Sequence, residues 1–155
     1  MDALTTLLEQ AEAERNIALA AFNQTRARRD AARTQSQELA TYRSDYQQRW
    51  RAQFQRASAL EIVRHYQQFS LRLDTAIEQQ THAEQVCETA LARAEDTLAA
   101  HELRLASVRK LIERRSAEQA RVQGRREQKQ ADELATRMAL KRTGVLPGLR
   151  MRVPA

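Results

Sequence analysis

The side chains that could bind a metal ion or act as nucleophiles are few: three histidines and one cysteine, which are His65, His82, His101 and Cys87. No two of these four residues are separated by one helical turn, so no turn would present two ligands to one ion. A single cysteine also excludes a disulfide framework and a thiolate zinc site. We therefore expect no catalytic residue, no metal site and no cofactor, and hence a protein that is not an enzyme.

Glycine and proline are absent from the first 123 residues, and all three glycines and both prolines lie at or after Gly124. The chain therefore has no glycine-rich loop of the kind that holds phosphate groups or dinucleotides. Sheets, barrels and alternating α/β folds need turn residues at each connection, and these are missing. A chain of 155 residues rich in Ala, Gln, Glu, Arg and Leu is instead typical of long α-helices.

Charge is distributed unevenly along the chain. The net charge of +6 is the sum of −2 over residues 1–108 and +8 over residues 109–155. A basic segment suits an acidic protein surface, a phosphate backbone or an anionic membrane, although cations near a helix C-terminus are also favoured by the helix dipole. No aromatic residue after Phe69 could stack on bases, so we expect no nucleic-acid partner.

The sequence contains no apolar run long enough to cross a membrane, and the basic segment has no wide apolar face that could insert into one. Residues 1–14 are acidic and lack the pattern of a secretory signal. We therefore expect a cytoplasmic protein without direct membrane insertion.

Two heptad ladders predict a coiled coil. Steps of four and three residues that begin at Leu4 reach Gln53, and nine of these fifteen positions are apolar. The same steps from Ala59 reach Val122, and thirteen of nineteen positions are apolar. The ladders do not share one frame, and Ser58 with Glu61 matches a capping box that would begin a new helix. A turn near residues 55–59 is the favoured interpretation, and one continuous helix with a stutter is the alternative.

We therefore predict an all-α protein, an antiparallel two-helix coiled-coil hairpin with a C-terminal helical overhang. The first helix spans residues 3–55 and the second spans residues 59–141, so the hairpin forms one domain over residues 1–141. Residues 142–155, which contain Gly144, Pro147, Gly148 and Pro154, form a flexible basic tail.

Six of the seven aromatic residues lie between positions 42 and 69, at the turn end of this hairpin: Tyr42, Tyr46, Trp50, Phe54, Tyr66 and Phe69. Tyr46, Trp50 and Tyr66 fall on the heptad ladders, where core packing explains them. Tyr42 and Phe69 fall beside the ladders, and large side chains in such places are enriched at protein interfaces.

Three strings of the sequence resemble the flagellar export protein FliJ family over residues 1 to about 140. The first is Leu39-Ala-Thr-Tyr42-Arg-Ser-Asp-Tyr46. The second is Tyr66-Gln-Gln-Phe69, which Leu73, Ala76 and Ile77-Glu78-Gln79 follow. The third is Arg126-Glu127-Gln128-Lys129-Gln130-Ala131-Asp132-Glu133.

The resemblance implies a helical hairpin similar to the shaft subunit of rotary ATPases, at the cytoplasmic face of the bacterial inner membrane at the flagellar base. Its implied partners are the hexameric flagellar export ATPase, the cytoplasmic linker of the membrane export gate and the chaperones of export substrates. The implied gate-binding residues are Gln35, Leu39, Tyr42, Tyr46, Phe69, Leu73, Ala76 and Gln80. The candidate ATPase contacts in the basic segment are Arg121, Arg125, Arg126, Lys129, Asp132 and Glu133.

Two positions depart from the family pattern, since Gln80 stands where a histidine can occur and the turn contains no glycine. With a turn centred near residue 57.5, facing residues have numbers that sum to about 115. The eight gate-binding residues then form four facing pairs and one patch, in which Tyr42 and Phe69 are the cleanest probes of binding. A generic coiled-coil adaptor or a stalk of a virulence-type secretion system remains the alternative.

Overall fold

A computed structural model describes residues 2–56 and 60–144 of the chain. It contains two α-helices, α1 over Asp2–Phe54 and α2 over Leu60–Arg142, and no strand in these two ranges. Each helix begins and ends within one residue of the bounds expected from the heptad ladders. The all-α helical hairpin is therefore confirmed, and one continuous helix is excluded because α1 ends before the turn. The capping box at Ser58 falls outside the described residues.

The chain divides into two compact units, Met1–Ala106 and Ser107–Ala155. In the first unit, α1 packs along α2 through the residues of the two ladders, which we call the seam. Every predicted seam position from Leu4 to Trp50 and from Val63 to Leu105 is buried or half-buried. The helical period of the sequence therefore determined correctly which face of each helix is covered.

The most deeply buried residues of the seam are small on one helix and large on the other. The buried residues of α1 are alanines, Ala11, Ala18 and Ala32, whereas those of α2 in the first unit are leucines, Leu73, Leu91 and Leu105. Small knobs against large ones fill the narrow space between two helices without voids. Near the turn, the closing backbone bonds run from Gln55 N to Arg51 O at 3.3 Å and from Arg56 N to Gln53 O at 2.9 Å.

In the second unit, α2 continues to Arg142, and burial ends early. Val108 is buried and Ile112 is half-buried, but every described residue from 113 to 144 is exposed. The ladder extended to Val122, but its last three positions, Arg115, Gln119 and Val122, lie in the predicted overhang and are exposed. Periodicity alone does not bury a helix face unless a second element covers it.

The C-terminal end of α2 is closed by Thr143 and Gly144. The Thr143 backbone N–H and side-chain hydroxyl both donate to Ala139 O, at 3.1 Å and 3.0 Å. Gly144 follows with a φ of 67°, a left-handed conformation that glycine adopts without a steric penalty. The expected flexible tail lies mostly outside the described residues, from 145 to 155. Its separation from a single hairpin domain stays a prediction.

Neither α1 nor α2, in the part of the chain that the structure describes, combines the length and hydropathy of a membrane-spanning segment. Within the same residues, no three His, Cys, Asp or Glu side chains lie close enough together to hold a metal ion.

Candidate functional site

The six aromatic residues near the turn form one connected cluster in the first unit. Tyr46 is its centre, because its ring centroid lies 4.4 Å from that of Phe69, 5.7 Å from Tyr66 and 5.9 Å from Trp50. Trp50 and Tyr66 extend the cluster to Phe54, at 5.4 Å and 5.5 Å. Aromatic pairs at these separations stabilise each other beyond the area that they bury. The cluster ties the two helices together at the turn end.

Tyr42 and Phe69, which the sequence placed beside the seam, differ in the structure. Tyr42 is 50% exposed, and its ring meets the Phe69 ring edge-on at a centroid distance of 6.3 Å. Phe69 is half-buried and packs closely on Tyr46. A truncation of Phe69 therefore also removes packing, and only Tyr42 is a clean probe of binding. The sequence could not make this distinction, because both residues occupy the same heptad position.

Gln35 and Gln80 face each other across the helix pair, as the turn position predicted. The Gln80 side-chain amide donates to Gln35 Oε1 at 3.2 Å and to the Ala32 carbonyl oxygen at 3.0 Å. Among the predicted facing pairs, Gln35 with Gln80 and Tyr46 with Phe69 are in direct contact. A glutamine is thus compatible with this place, where the family pattern can have a histidine.

The remaining members of the predicted gate-binding set lie on the same face, farther from the turn. Leu73 is buried, and Leu39 and Ala76 are half-buried. Of the eight residues, Gln35 and Tyr42 are exposed and the other six are buried or half-buried. The structure brings the set together on one side of the helix pair, and the binding role of these residues stays a prediction.

This side of the first unit continues well beyond the aromatic cluster. Residues spaced by seven along each helix share one edge, and we call these rows the alanine edge: Ala21, Arg28, Gln35 and Tyr42 on α1, with Phe69, Ala76, Ala83 and Ala90 on α2. Farther along, Arg104 Nη1 donates to Glu14 Oε2 at 3.0 Å, so an ion pair follows the row of small residues. The row of the alanine edge therefore carries one charge, that of Arg28, and exposed charged residues flank it one helical turn away: Glu38 and Asp45 on α1, and Arg72 and Arg93 on α2.

The opposite side of the helix pair, which we call the charged edge, is crossed by ion pairs. Arg33 Nη2 donates to Glu88 Oε1 at 2.8 Å, and Arg29 Nη1 donates to the same oxygen at 3.3 Å. Arg33 Nε also lies 3.6 Å from Glu84 Oε1, and Arg43 Nη2 lies 3.1 Å from Asp74 Oδ1. The hydrogen bonds to Glu88 and Asp30 raise the pKa of Arg29, which stays charged throughout the neutral range.

Sequence reasoning missed these cross-helix pairs. Asp74, for example, is half-buried beside Arg43. The signal was present in the sequence, since flanking heptad positions on the two helices carry opposite charges. The predicted turn places residue 82 opposite Arg33, so the register alone would not have found its pair with Glu88, six residues farther along.

His101 and Cys87 are both packed in the seam. His101 is a half-buried seam residue whose Nδ1 lies 3.7 Å from Glu14 Oε2. Cys87 is a half-buried free thiol on the seam of α2. Both residues occupy the packing positions that the heptad ladder assigned to them.

The candidate ATPase contacts all lie on the exposed part of α2 in the second unit. Four of them, Arg125, Lys129, Asp132 and Glu133, border one shallow depression along the helix. Arg126 borders a different one, together with Val122 and Arg115. By helical spacing, Arg121, Arg125, Lys129 and Asp132 follow one row, and Arg126 and Glu133, seven residues apart, share a second row with Arg115.

The fold and the site define a coiled-coil hairpin that offers side chains for contact with other proteins. The model of one family, the Flagellar FliJ protein, matches residues 1–144. The chain belongs to this family, so it has a role in flagellar assembly and protein export. No curated protein and no solved structure matches the chain.

Proposed function

We propose that this protein is a non-enzymatic coupler of flagellar export, which binds both the hexameric export ATPase and the cytoplasmic linker of the membrane export gate. The observation that carries the proposal is the gathering of the eight predicted gate-binding residues on one side of the hairpin. The family match favours a flagellar role over a generic adaptor or a virulence-type stalk.

The gate contact is supported by the chemistry of the aromatic cluster. Tyr42 exposes half of its surface while its ring rests on Phe69, so it is held in place before a partner arrives. An aromatic side chain that is already ordered loses little conformational entropy on binding. A linker segment that covers Tyr42 would bury apolar area next to the ordered ring of Phe69.

The ATPase contact is supported by the exposed part of α2. Residues 113–142 stay helical with every side chain exposed, although isolated charged helices are marginally stable in water. A stretch with nine basic and five acidic residues suits an oligomer interface of mixed charge. We also assign to the protein the escort of substrate chaperones and a peripheral position at the cytoplasmic face of the inner membrane, at the flagellar base.

Hydrolysis of ATP by the cognate export ATPase tests the coupler role. The full chain is titrated beside two variants with equal charge changes, Arg125→Glu with Lys129→Glu, and Arg115→Glu with Arg126→Glu. We expect the wild-type chain to stimulate hydrolysis and the first variant to stimulate it less. Loss in the second variant alone would move the contact to the other row, and an absence of stimulation and of co-assembly by the wild-type chain would contradict the proposal.

Binding of the gate linker forms the second test. Tyr42→Ala should weaken binding of a linker peptide by about tenfold, since a central aromatic contact typically contributes over 1 kcal/mol. Its matched control is Gln67→Ala, an exposed position seven residues before Asp74 on the charged edge. Helicity and the urea midpoint should be unchanged in both variants, and an equal loss of affinity in both would contradict the gate assignment.

A further inference from the structure

We propose that the alanine edge extends the gate-binding surface past Gln80, and that Arg28 pairs there with a carboxylate of the same linker segment. The inference rests on the proposed function, because it lengthens the surface assigned to the export gate. It names a residue outside the predicted set and states the chemistry of the partner group that meets it.

The first support is the continuity of the strip. Ala76, Ala83 and Ala90 follow Phe69 at intervals of seven residues, so this row of positions on α2 carries only small side chains. Ala83, Ala90 and Ala21 of α1 are all exposed. A segment that lies on the aromatic cluster can continue along the row, with Arg72 and Arg93 of α2 one helical turn to its side.

The second support is the isolation of Arg28. Arg29, Arg33, Arg43 and Arg104 each lie within 3.3 Å of a carboxylate oxygen on another residue. Among the described residues, Arg28 forms no such ion pair. The positions of α2 that face it are alanines and supply no carboxylate, so its natural counter-ion comes from outside the chain.

The choice of occupant follows from the charges of the edge. A second copy of this edge would offer Arg28 no carboxylate, since none of the eight residues that define the edge is acidic. A linker that covers Tyr42 reaches Arg28 after fourteen residues of α1, a distance of roughly 21 Å. The edge therefore fits a segment with an apolar part for the aromatic cluster and an acidic group about 21 Å away.

The experiment measures affinity of the full-length chain for a synthetic peptide of the cognate gate linker, at low and high salt. The variants are Arg28→Ala, Arg28→Lys and Arg28→Glu, with Arg26→Glu as the matched control on the charged edge. A second peptide has its Asp and Glu replaced by Lys. Circular dichroism and urea midpoints report whether each variant is folded.

We expect Arg28→Ala to weaken binding about threefold and Arg28→Glu about tenfold, because exposed ion pairs contribute modestly to affinity. Arg28→Lys should keep most of the affinity, and Arg26→Glu should have little effect. The loss should shrink at high salt, which screens an ion pair but not an aromatic contact. The lysine peptide should bind Arg28→Glu better than it binds the wild type.

Two results would overturn the inference, and they differ from a failure of the proposed function. If Tyr42→Ala weakens binding while Arg28→Glu equals Arg26→Glu, the gate contact stands and its extension is wrong. The same conclusion holds if the effect of Arg28→Glu is independent of salt and of peptide charge. If the wild-type chain does not bind the linker at all, the gate assignment itself fails.

Discussion

The two edges of the hairpin are built from the same pair of helices and differ in what joins α1 to α2. On the charged edge, arginines of α1 meet carboxylates of α2, so the hydrogen-bonding capacity of these side chains is used within the chain. On the alanine edge, alanines of α2 lie beside Ala21, Arg28, Gln35 and Tyr42 of α1, and Tyr42 and Arg28 are exposed. One edge thus stabilises the register of the helices, and the other is the edge that we propose for a partner.

This division separates the residues that pair α1 with α2 from the exposed residues of the alanine edge. Ion pairs across flanking heptad positions favour one register because a shift would bring like charges together. A binding edge with the same ion pairs would have to break them before a partner could dock. Alanines avoid that cost, since little has to be displaced from them except water.

The largest expected effect is on the free energy of unfolding and comes from the aromatic cluster. Tyr46→Ala should lower the free energy of unfolding by about 2–3 kcal/mol, because Tyr46 contacts Phe69, Tyr66 and Trp50. Urea titration followed by Trp50 fluorescence measures the change. Tyr42→Ala is the comparison and should cost less than about 1 kcal/mol. Equal costs would mean that Tyr42 is also part of the core.

The next effect tests whether the alanine edge is open for binding. Ala83→Glu should weaken linker binding about tenfold, because the carboxylate would lie in the path of the bound segment and would lose water on binding. Stability should change by less than about 0.5 kcal/mol, since Ala83 is exposed. Thr81→Glu makes the same charge change on the charged edge and should bind normally. If both variants bind the linker with equal affinity, the alanine edge is not the binding edge.

The exposed part of α2, residues 113–142, belongs to neither edge. A substitution at Gly124 tests its local stability. The helix passes through Gly124, and a Cβ added there would meet no other atom within 4 Å. Gly124→Ala should therefore stabilise the exposed part of α2 locally by about 1 kcal/mol. Hydrogen exchange of residues 113–142 measures the change, and exchange of the amides near Leu73 and Leu91 is the internal control. Faster exchange at residues 113–142 would show that glycine is needed there.

The smallest effect is expected on the charged edge. Glu88→Gln removes the charge that Arg29 and Arg33 share, so the urea midpoint should fall slightly at low salt. About 1 M salt should remove most of the difference from the wild type. Linker affinity should be unchanged, because Glu88 lies away from the alanine edge. A large loss of linker affinity would show that the two edges are not independent.

The sequence predicted the seam correctly because heptad spacing directly reflects the period of a helix pair. It also predicted the facing pairs Gln35 with Gln80 and Tyr46 with Phe69, since one turn position determines the whole register of a hairpin. The prediction that Phe69 is a clean probe of binding was less accurate, because position in a heptad does not reveal how deeply a ring packs. The C-terminal overhang of α2 was also predicted, and the structure shows burial ending at Ile112 although the heptad spacing continues to Val122.

By itself, the sequence therefore determined the helices, the turn and the covered face of each helix in the first unit. These follow from local propensity and from a repeating pattern, which act within a few residues of the chain. Only the tertiary structure decided that Arg29 and Arg33 share Glu88, and that Arg28 forms no ion pair among the described residues. Those outcomes depend on contacts between residues more than fifty positions apart, which a periodic pattern constrains but does not specify.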